Sequence, residues 1–139
     1  MEYTGTAFTE GFEGCKLVAY QDSRGVWTIG YGHTAGVREG DTCAQAQAEE
    51  WLIEDMAWAT RVVNEEVTVS LTQNEFDALV DFVFNVGSGN FDSSTLLREL
   101  NAGDFAAAAT QFDKWDLSGG QVIAGLLRRR QAETDLFGT

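Results

Sequence analysis

The chain has 139 residues, 44% of them apolar, and a formal net charge of −13 from 22 acidic and 9 basic side chains. That length suits one domain with a true hydrophobic core, and nine Phe, four Trp and three Tyr exclude a disordered chain. The excess of acid disfavours a nucleic-acid backbone or an anionic membrane surface as a partner.

The charge is uneven. Residues 39–81 hold 11 acids and one base, Arg61, whereas residues 1–38 hold 4 acids and 3 bases and residues 82–139 hold 7 and 5. The middle segment reads as a solvated face that keeps the protein soluble. Two cysteines, Cys15 and Cys43, are too few for a disulfide scaffold, and their spacing fits no metal site. A single bridge stays open, although two small buried or half-buried thiols are the simpler reading. Residues 1–9 show no basic and apolar signal segment, and no apolar run could span a bilayer, so the protein is expected to be soluble where it is made. With no proline in the chain, glycine must end its helices.

In chain order, a first helix is expected over about residues 4–14, with Phe8 and Phe12 on one face. Residues 17–20 read as a strand, 21–25 as a turn and 26–31 as a returning strand, a small sheet that must pack on helices. Thr42-Cys-Ala-Gln45 matches a capping box and should open a long helix to about residue 64, with Ala48, Trp51, Leu52, Met56, Ala59, Val62 and Val63 on its apolar stripe. Thr72-Gln-Asn-Glu75 is a second capping box, with Leu71 as its staple residue. The helix behind it is apolar on more than one side, so it should be the buried centre of a helical lobe, ended by Gly87 in a left-handed cap. Further helices are expected over about residues 93–101 and from an Asp104 cap to about residue 115. After a break at Gly119-Gly120, a last helix covers about residues 121–137.

Chemistry concentrates in the first third. Glu13 ends the first helix among Phe12 and Leu17, Asp22 sits in the hairpin turn, and Thr28 lies on the returning strand. Glycosidic bond cleavage needs such a pair: one carboxyl that gives a proton to the leaving oxygen, and one that stays ionised to activate water or to attack. A threonine hydroxyl can hold the water. By spacing alone, two acids nine residues apart are common surface charges. Asp77 and Asp81, four apart and without a hairpin, read as surface.

The run Phe12-Glu-Gly-Cys-Lys-Leu-Val-Ala-Tyr-Gln-Asp22-Ser-Arg-Gly-Val-Trp-Thr28-Ile-Gly-Tyr-Gly-His33-Thr34 resembles the signature of phage-type lysozymes, the endolysin muramidases. The likeness continues through Leu71 to Val80, Phe84-Asn-Val-Gly87, Phe91 to Leu97, Leu100-Asn-Ala-Gly103, and Gly125 to Arg130 with Glu133, so it covers nearly the whole chain.

The resemblance implies an α+β, lysozyme-like fold. A small sheet lobe of about residues 15–40 would face a larger helical lobe of about residues 43–139 plus the N-terminal helix, with the active-site cleft between them. It implies cleavage of the peptidoglycan glycan strand at the β-1,4 bond from N-acetylmuramic acid to N-acetylglucosamine. Glu13 would be the general acid, Asp22 would activate the attacking water and Thr28 would help hold it, in an inverting reaction without metal or organic cofactor. Thr34, Phe84 and Ser94 would contact substrate, although Phe84 also fits the buried stripe. His33 invites a reading as a catalytic base, but the family pattern makes it a structural partner of Asp55. One of Arg128, Arg129 and Arg130 could pair with Glu13 across the cleft, while a solvated helix face is the more ordinary reading. The implied protein is a monomer that accumulates in the host cytoplasm and reaches the wall through a separate membrane pore, with no nucleic-acid partner and no membrane insertion. An inactive peptidoglycan-binding or scaffolding relative on the same fold is the alternative. The chain departs from the family at Ser70 and Ala124, where relatives often carry proline, and in its acidity.

Overall fold

The computed structural model describes residues 1–118 and 120–139. The chain divides into two compact units, Thr6–Ala57 and a larger one of Met1–Gly5 with Trp58–Thr139. The smaller unit thus takes in the first helix and the helix after the sheet, beyond the 15–40 expected of a small lobe.

The smaller unit begins with α1 (Thr6–Glu13), in which Phe8 and Phe12 meet edge to face at 5.2 Å. It is shorter than expected, and the chain turns at Gly14, whose N–H bonds back to the Glu10 carbonyl at 3.2 Å. Strands β1 (Lys16–Gln21) and β2 (Trp27–Gly30) then pair antiparallel. Lys16 faces Gly30 and Tyr20 faces Thr28, so four steps along β1 match two along β2 and the ladder bulges between them. β1 is mostly exposed, whereas Thr28, Ile29 and Gly30 on β2 are buried.

The capping box expected at Thr42 does not form. Val18 and Thr42 make a bridge, the Cys43 N–H donates to the Leu17 carbonyl at 3.0 Å, and the Ala19 N–H donates to Asp41 at 2.9 Å. Residues 41–43 are therefore extended against β1. The helix α2 (Gln45–Asp55) starts after Ala44 with no side-chain cap. The two thiols are free and half-buried. Burial raises the Cys43 thiol above its ordinary value, and the neighbouring Cys15 acts in the same direction.

In place of one long helix there are two, α2 and α3 (Ala57–Glu66), divided at Met56. Of the expected stripe, Ala48, Leu52, Met56, Ala59 and Val63 are buried, whereas Trp51 and Val62 are only half-buried.

In the larger unit the Thr72 box forms as expected. The Thr72 hydroxyl accepts the Glu75 N–H at 3.1 Å, and the Glu75 carboxylate accepts the Thr72 N–H at 2.7 Å. It opens α4 (Gln73–Val86), buried without interruption from Phe76 to Val83. Gly87 ends it with a positive φ of 92° but an extended ψ of 155°, not the left-handed helical cap expected. A short α5 (Ser88–Asp92), absent from the sequence reading, precedes α6 (Thr95–Asn101). Asp104 caps α7 (Phe105–Ala109), accepting the Ala107 N–H at 3.0 Å, and a separate 3-10 turn, Phe112–Trp115, completes the stretch expected as one helix. A small unforeseen hairpin follows, β3 (Leu117–Ser118) with β4 (Gln121–Val122). The expected glycine break falls partly on Gly119, outside the described residues. The chain closes with α8 (Ala124–Phe137), packed along α4. Phe82 meets Phe91, Phe112 and Trp115 edge to face at 6.4, 5.2 and 6.0 Å, forming the aromatic centre of this unit. Among the described residues no helix is long and apolar enough to cross a membrane.

Two sequence expectations are reversed here. Asp77 and Asp81 are not surface charges but 6% and 0% exposed. Asp77 accepts hydrogen bonds from the Thr4 hydroxyl at 2.5 Å and the Gln73 amide at 2.8 Å, tying the N-terminus to α4. Asp81 takes a two-pronged bond from Arg129, at 3.0 Å from Nε and 2.9 Å from Nη2. Of the three arginines only Arg128 is exposed, while Arg129 and Arg130 are buried. Helix α8 is thus held to α4 by charge pairs inside the core rather than solvated along a polar face. Arg130 bonds Glu133 at 2.6 Å and the Asn85 side chain. Burial pushes the Glu133 carboxyl well above the usual carboxylate range, and neighbouring Asp81 pushes the same way against the pull of Arg130 and Arg129.

Candidate active site

The three candidate catalytic residues all fall in the smaller unit and are organised around β2. Glu13 is the last residue of α1 and half-buried. Its expected apolar neighbour Leu17 is 42% exposed, so Leu17 does not wall it in. Its carboxylate lies instead beside Gly32, where a methyl group would stand 3.6 Å from Glu13 Oε2. Gly32 also has φ +86°, so glycine permits the turn, while a methyl group there would only touch the carboxylate at ordinary contact distance.

Asp22 lies in the hairpin turn with its side chain 22% exposed. Its Oδ1 accepts the backbone N–H groups of Arg24 at 2.8 Å and Val26 at 3.0 Å, and its Oδ2 accepts Arg24 Nη2 at 3.2 Å. The Val26 amide, helped by that of Arg24 and by the Arg24 guanidinium, holds the carboxyl below the usual range. Asp22 is therefore ionised at neutral pH and still open to solvent.

Thr28 is buried on β2, and its hydroxyl donates to the Val26 carbonyl at 2.9 Å. The same carbonyl accepts the Asp22 N–H at 2.9 Å. One residue, Val26, thus binds both partners: its N–H fixes the Asp22 carboxylate and its C=O takes the Thr28 proton. The Thr28 oxygen keeps lone pairs to receive a hydrogen bond.

Beyond β2, Ile29 and His33 exchange backbone hydrogen bonds at 2.9 Å and close the turn that carries Gly32. His33 is buried, its Nδ1 is 2.8 Å from Asp55 Oδ2, and its ring stacks on Trp51 at 4.4 Å, only 5° from parallel. The structural role for His33 is the one realised: it pins the turn to α2. Gly30 supports the same approach, since a side chain there would meet the Ala48 Cβ at 3.2 Å.

The expected substrate contacts are less uniform. Thr34 is exposed, directly after His33. Phe84 is half-buried on α4, with its ring 6.2 Å from that of Trp58. Ser94 is buried and caps α6, its hydroxyl accepting the Leu97 N–H at 3.1 Å and donating to the Phe91 carbonyl at 2.7 Å. Both sides of that hydroxyl are engaged with the backbone. Sequence reasoning missed Val26 and Gly32. A turn aspartate four residues before a strand residue is the pattern of a side chain that caps its own turn, and it was the available signal for Val26. Among the described residues no group of three or more His, Cys, Asp or Glu side chains could hold a metal ion.

The phage lysozyme family profile matches residues 10–133, from within α1 to within α8. The chain belongs to the phage lysozyme family. It is 44% identical over 137 residues to an endolysin of Acyrthosiphon pisum secondary endosymbiont phage 1, covering 96% of this chain and 94% of that protein. A solved P22 lysozyme mutant superposes with a TM-score of 0.92 at 39% identity, covering 100% of this chain and 99% of the other. The muramidase domain of SpmX from Asticaccaulis excentricus superposes with a TM-score of 0.91 at 42% identity, covering 97% and 95%. The α+β lysozyme-like architecture expected from the sequence is the fold of this family member.

Proposed function

We propose that the chain is a peptidoglycan hydrolase that cuts the β-1,4 bond between N-acetylmuramic acid and N-acetylglucosamine and so lyses bacterial cell walls. The observation that carries this reading is the family match across residues 10–133, with Glu13, Asp22 and Thr28 all inside it. The relatives named above are endolysins, lysozymes and a muramidase.

The hydrogen bonds suggest how the residues divide the work. The Thr28 proton is engaged by Val26, so a water between Asp22 and Thr28 donates one hydrogen to each. Both of its lone pairs then point away from the two acceptors, and one of them attacks the anomeric carbon. As that carbon–oxygen bond forms, the water gives a proton to Asp22. Glu13 gives its own proton to the departing glycosidic oxygen as the old bond breaks. One water is consumed, and the two carboxyls exchange the proton with solvent before the next cycle. A water-activating Asp22 means inversion at the anomeric carbon. The protein works as a monomer on the glycan strand, after release from the cell that makes it.

The test is clearing of permeabilised Gram-negative cells by the wild type and by Glu13→Gln. The wild type should lyse them at least about a hundredfold faster, the lower end of what a general acid contributes. Equal rates for the two, with both folded, would favour the inactive binding relative.

A further inference from the structure

Both cysteines lie in the smaller unit, beside the candidate acid, and the mechanism above does not use them. The backbone sets their placement. Val18 and Thr42 pair antiparallel, the Cys43 N–H donates to the Leu17 carbonyl at 3.0 Å, and the Ala19 N–H donates to the Asp41 carbonyl at 2.9 Å. In that register Leu17 stands opposite Cys43, and Cys15 stands opposite Gln45. The Cys15 thiol does meet the Gln45 side-chain oxygen, at 3.6 Å, so the register persists to the start of α2. Ala44 is extended, so Cys43 and Gln45 share one face of the ladder, and Cys15 shares it with them. Cys15 and Cys43 are therefore diagonal neighbours across the two segments. Both are half-buried, and Cys15 acts on the Cys43 thiol as a close neighbour does.

Diagonal neighbours of an antiparallel ladder stand about 7–8 Å apart, whereas a disulfide joins Cα atoms up to about 6.8 Å apart. A bridge here needs the two segments to draw together by about 1 Å. The resulting strain makes it easy to reduce, which favours a reversible couple over a permanent staple. Zinc needs further ligands, and among the described residues no group of three or more His, Cys, Asp or Glu side chains gathers.

The group such a bridge would move is Glu13. Cys15 follows it by two residues, with only Gly14 between them. A second route runs through Gln45, which also donates its Nε2 to the Tyr31 hydroxyl at 2.7 Å. Tyr31 precedes Gly32, the residue beside Glu13 Oε2. Drawing Cys15 toward Cys43 takes it from Gln45 and shifts the end of α1 against the Gly32 turn. The bridge would close residues 15–43 into a loop that holds Asp22 and Thr28 but leaves Glu13 outside. The displacement thus falls between the acid and the water-activating pair.

We propose that Cys15 and Cys43 form a reversible disulfide that displaces Glu13 and slows lysis while it is oxidised. The oxidant is a low-molecular-weight disulfide. One cysteine thiolate attacks it and releases one small thiol, and the second thiolate then displaces the other. The pair loses two protons and two electrons, and the oxidant leaves as two thiols. The effect on lysis rests on the hydrolase reading above, whereas the bridge and the movement of Glu13 do not.

The experiment equilibrates the full chain in glutathione buffers from fully reduced to fully oxidised. The readouts are intact mass, lysis of permeabilised cells and the 13C signal of the Glu13 carboxyl. Oxidised glutathione should give a species about 2 Da lighter, and reduced glutathione should reverse it. That species should lyse cells about ten- to a hundredfold more slowly, the cost of misplacing a catalytic group by about 1 Å. The Glu13 signal should move in step with the mass. Cys43→Ser should abolish all three responses and lyse at the wild-type rate in reduced buffer. Cys15→Ser, which keeps a hydroxyl for Gln45, is the second variant and should abolish them as well. Glutathione adducts without the lighter species overturn the proposal. So does a lighter species with an unmoved Glu13 signal or, in an active chain, with unchanged lysis. Should the reduced wild type fail to lyse cells while the bridge still forms and moves the Glu13 signal, the hydrolase reading falls and the couple stands.

Discussion

Asp22 and Asp81 each accept hydrogen bonds from an arginine, yet one is the residue proposed here for chemistry and the other is closed into the core. Around Asp22 the main donors are backbone amides of its own turn, its arginine is 77% exposed, and the carboxylate remains open to water. Around Asp81 one donor is Arg129, 48 residues away in sequence, and both side chains are shut in the core. Local backbone donors hold a carboxylate ionised without covering it. A buried arginine satisfies a carboxylate only by occupying it, because two charges leave water together only if each satisfies the other.

This contrast can be broken from either side. The largest expected effect is on activity at the open site. Asp22→Asn keeps an oxygen to accept the Arg24 and Val26 amides but cannot take a proton from water. Turnover should fall about 10²- to 10⁴-fold, while thermal unfolding shows stability within about 1 kcal/mol of the wild type. A matching loss of stability would make Asp22 structural. At the closed site the sign reverses. Asp81→Ala leaves Arg129 buried without its bidentate partner and should destabilise the fold by about 3–5 kcal/mol in chemical denaturation. An unchanged unfolding midpoint would mean that this ion pair does not hold α8 to α4.

A smaller effect sharpens the comparison through pH. The Glu133 carboxyl is raised in the folded chain, so folding favours its protonated form. Its contribution to stability is greatest near and below the unfolded value of about 4.3 and declines as pH rises from there toward the folded value. Asp22 has the opposite sign, since its carboxyl is lowered and its contribution is lost only as pH falls through the folded value. Glu133→Gln should therefore flatten the decline in stability above about pH 4.3, measured as melting temperature against pH. A slope identical to the wild type would show that Glu133 is not the group responsible.

What the sequence revealed follows the same division between local and distant causes. The Thr72 box and the β1–β2 hairpin were legible because short spacings set them, as was the stripe from Ala48 to Val63. The Thr42 box failed because β1, more than twenty residues upstream, claims the backbone of residues 41–43. Asp81 read as surface because its partner lies on α8, although its neighbours Val80, Phe82 and Val83 already indicated a helix buried on all sides. The hairpin before α8 was hidden by glycines that marked only a break. At the candidate site the three proposed side chains were singled out by family likeness alone. The linkage of Asp22 to Thr28 through the Val26 peptide was not legible, because backbone hydrogen bonds leave no mark on residue identity.

The central claim is that an ionised Asp22, set by Val26 and aided by Thr28, activates a water while Glu13 protonates the leaving sugar. Proton NMR of the reducing end, recorded in the first minutes of digestion of a soluble glycan strand before mutarotation, tests it most directly. The account predicts that the α-anomer forms first. Initial appearance of the β-anomer would mean that Asp22 attacks the sugar itself, and would contradict it.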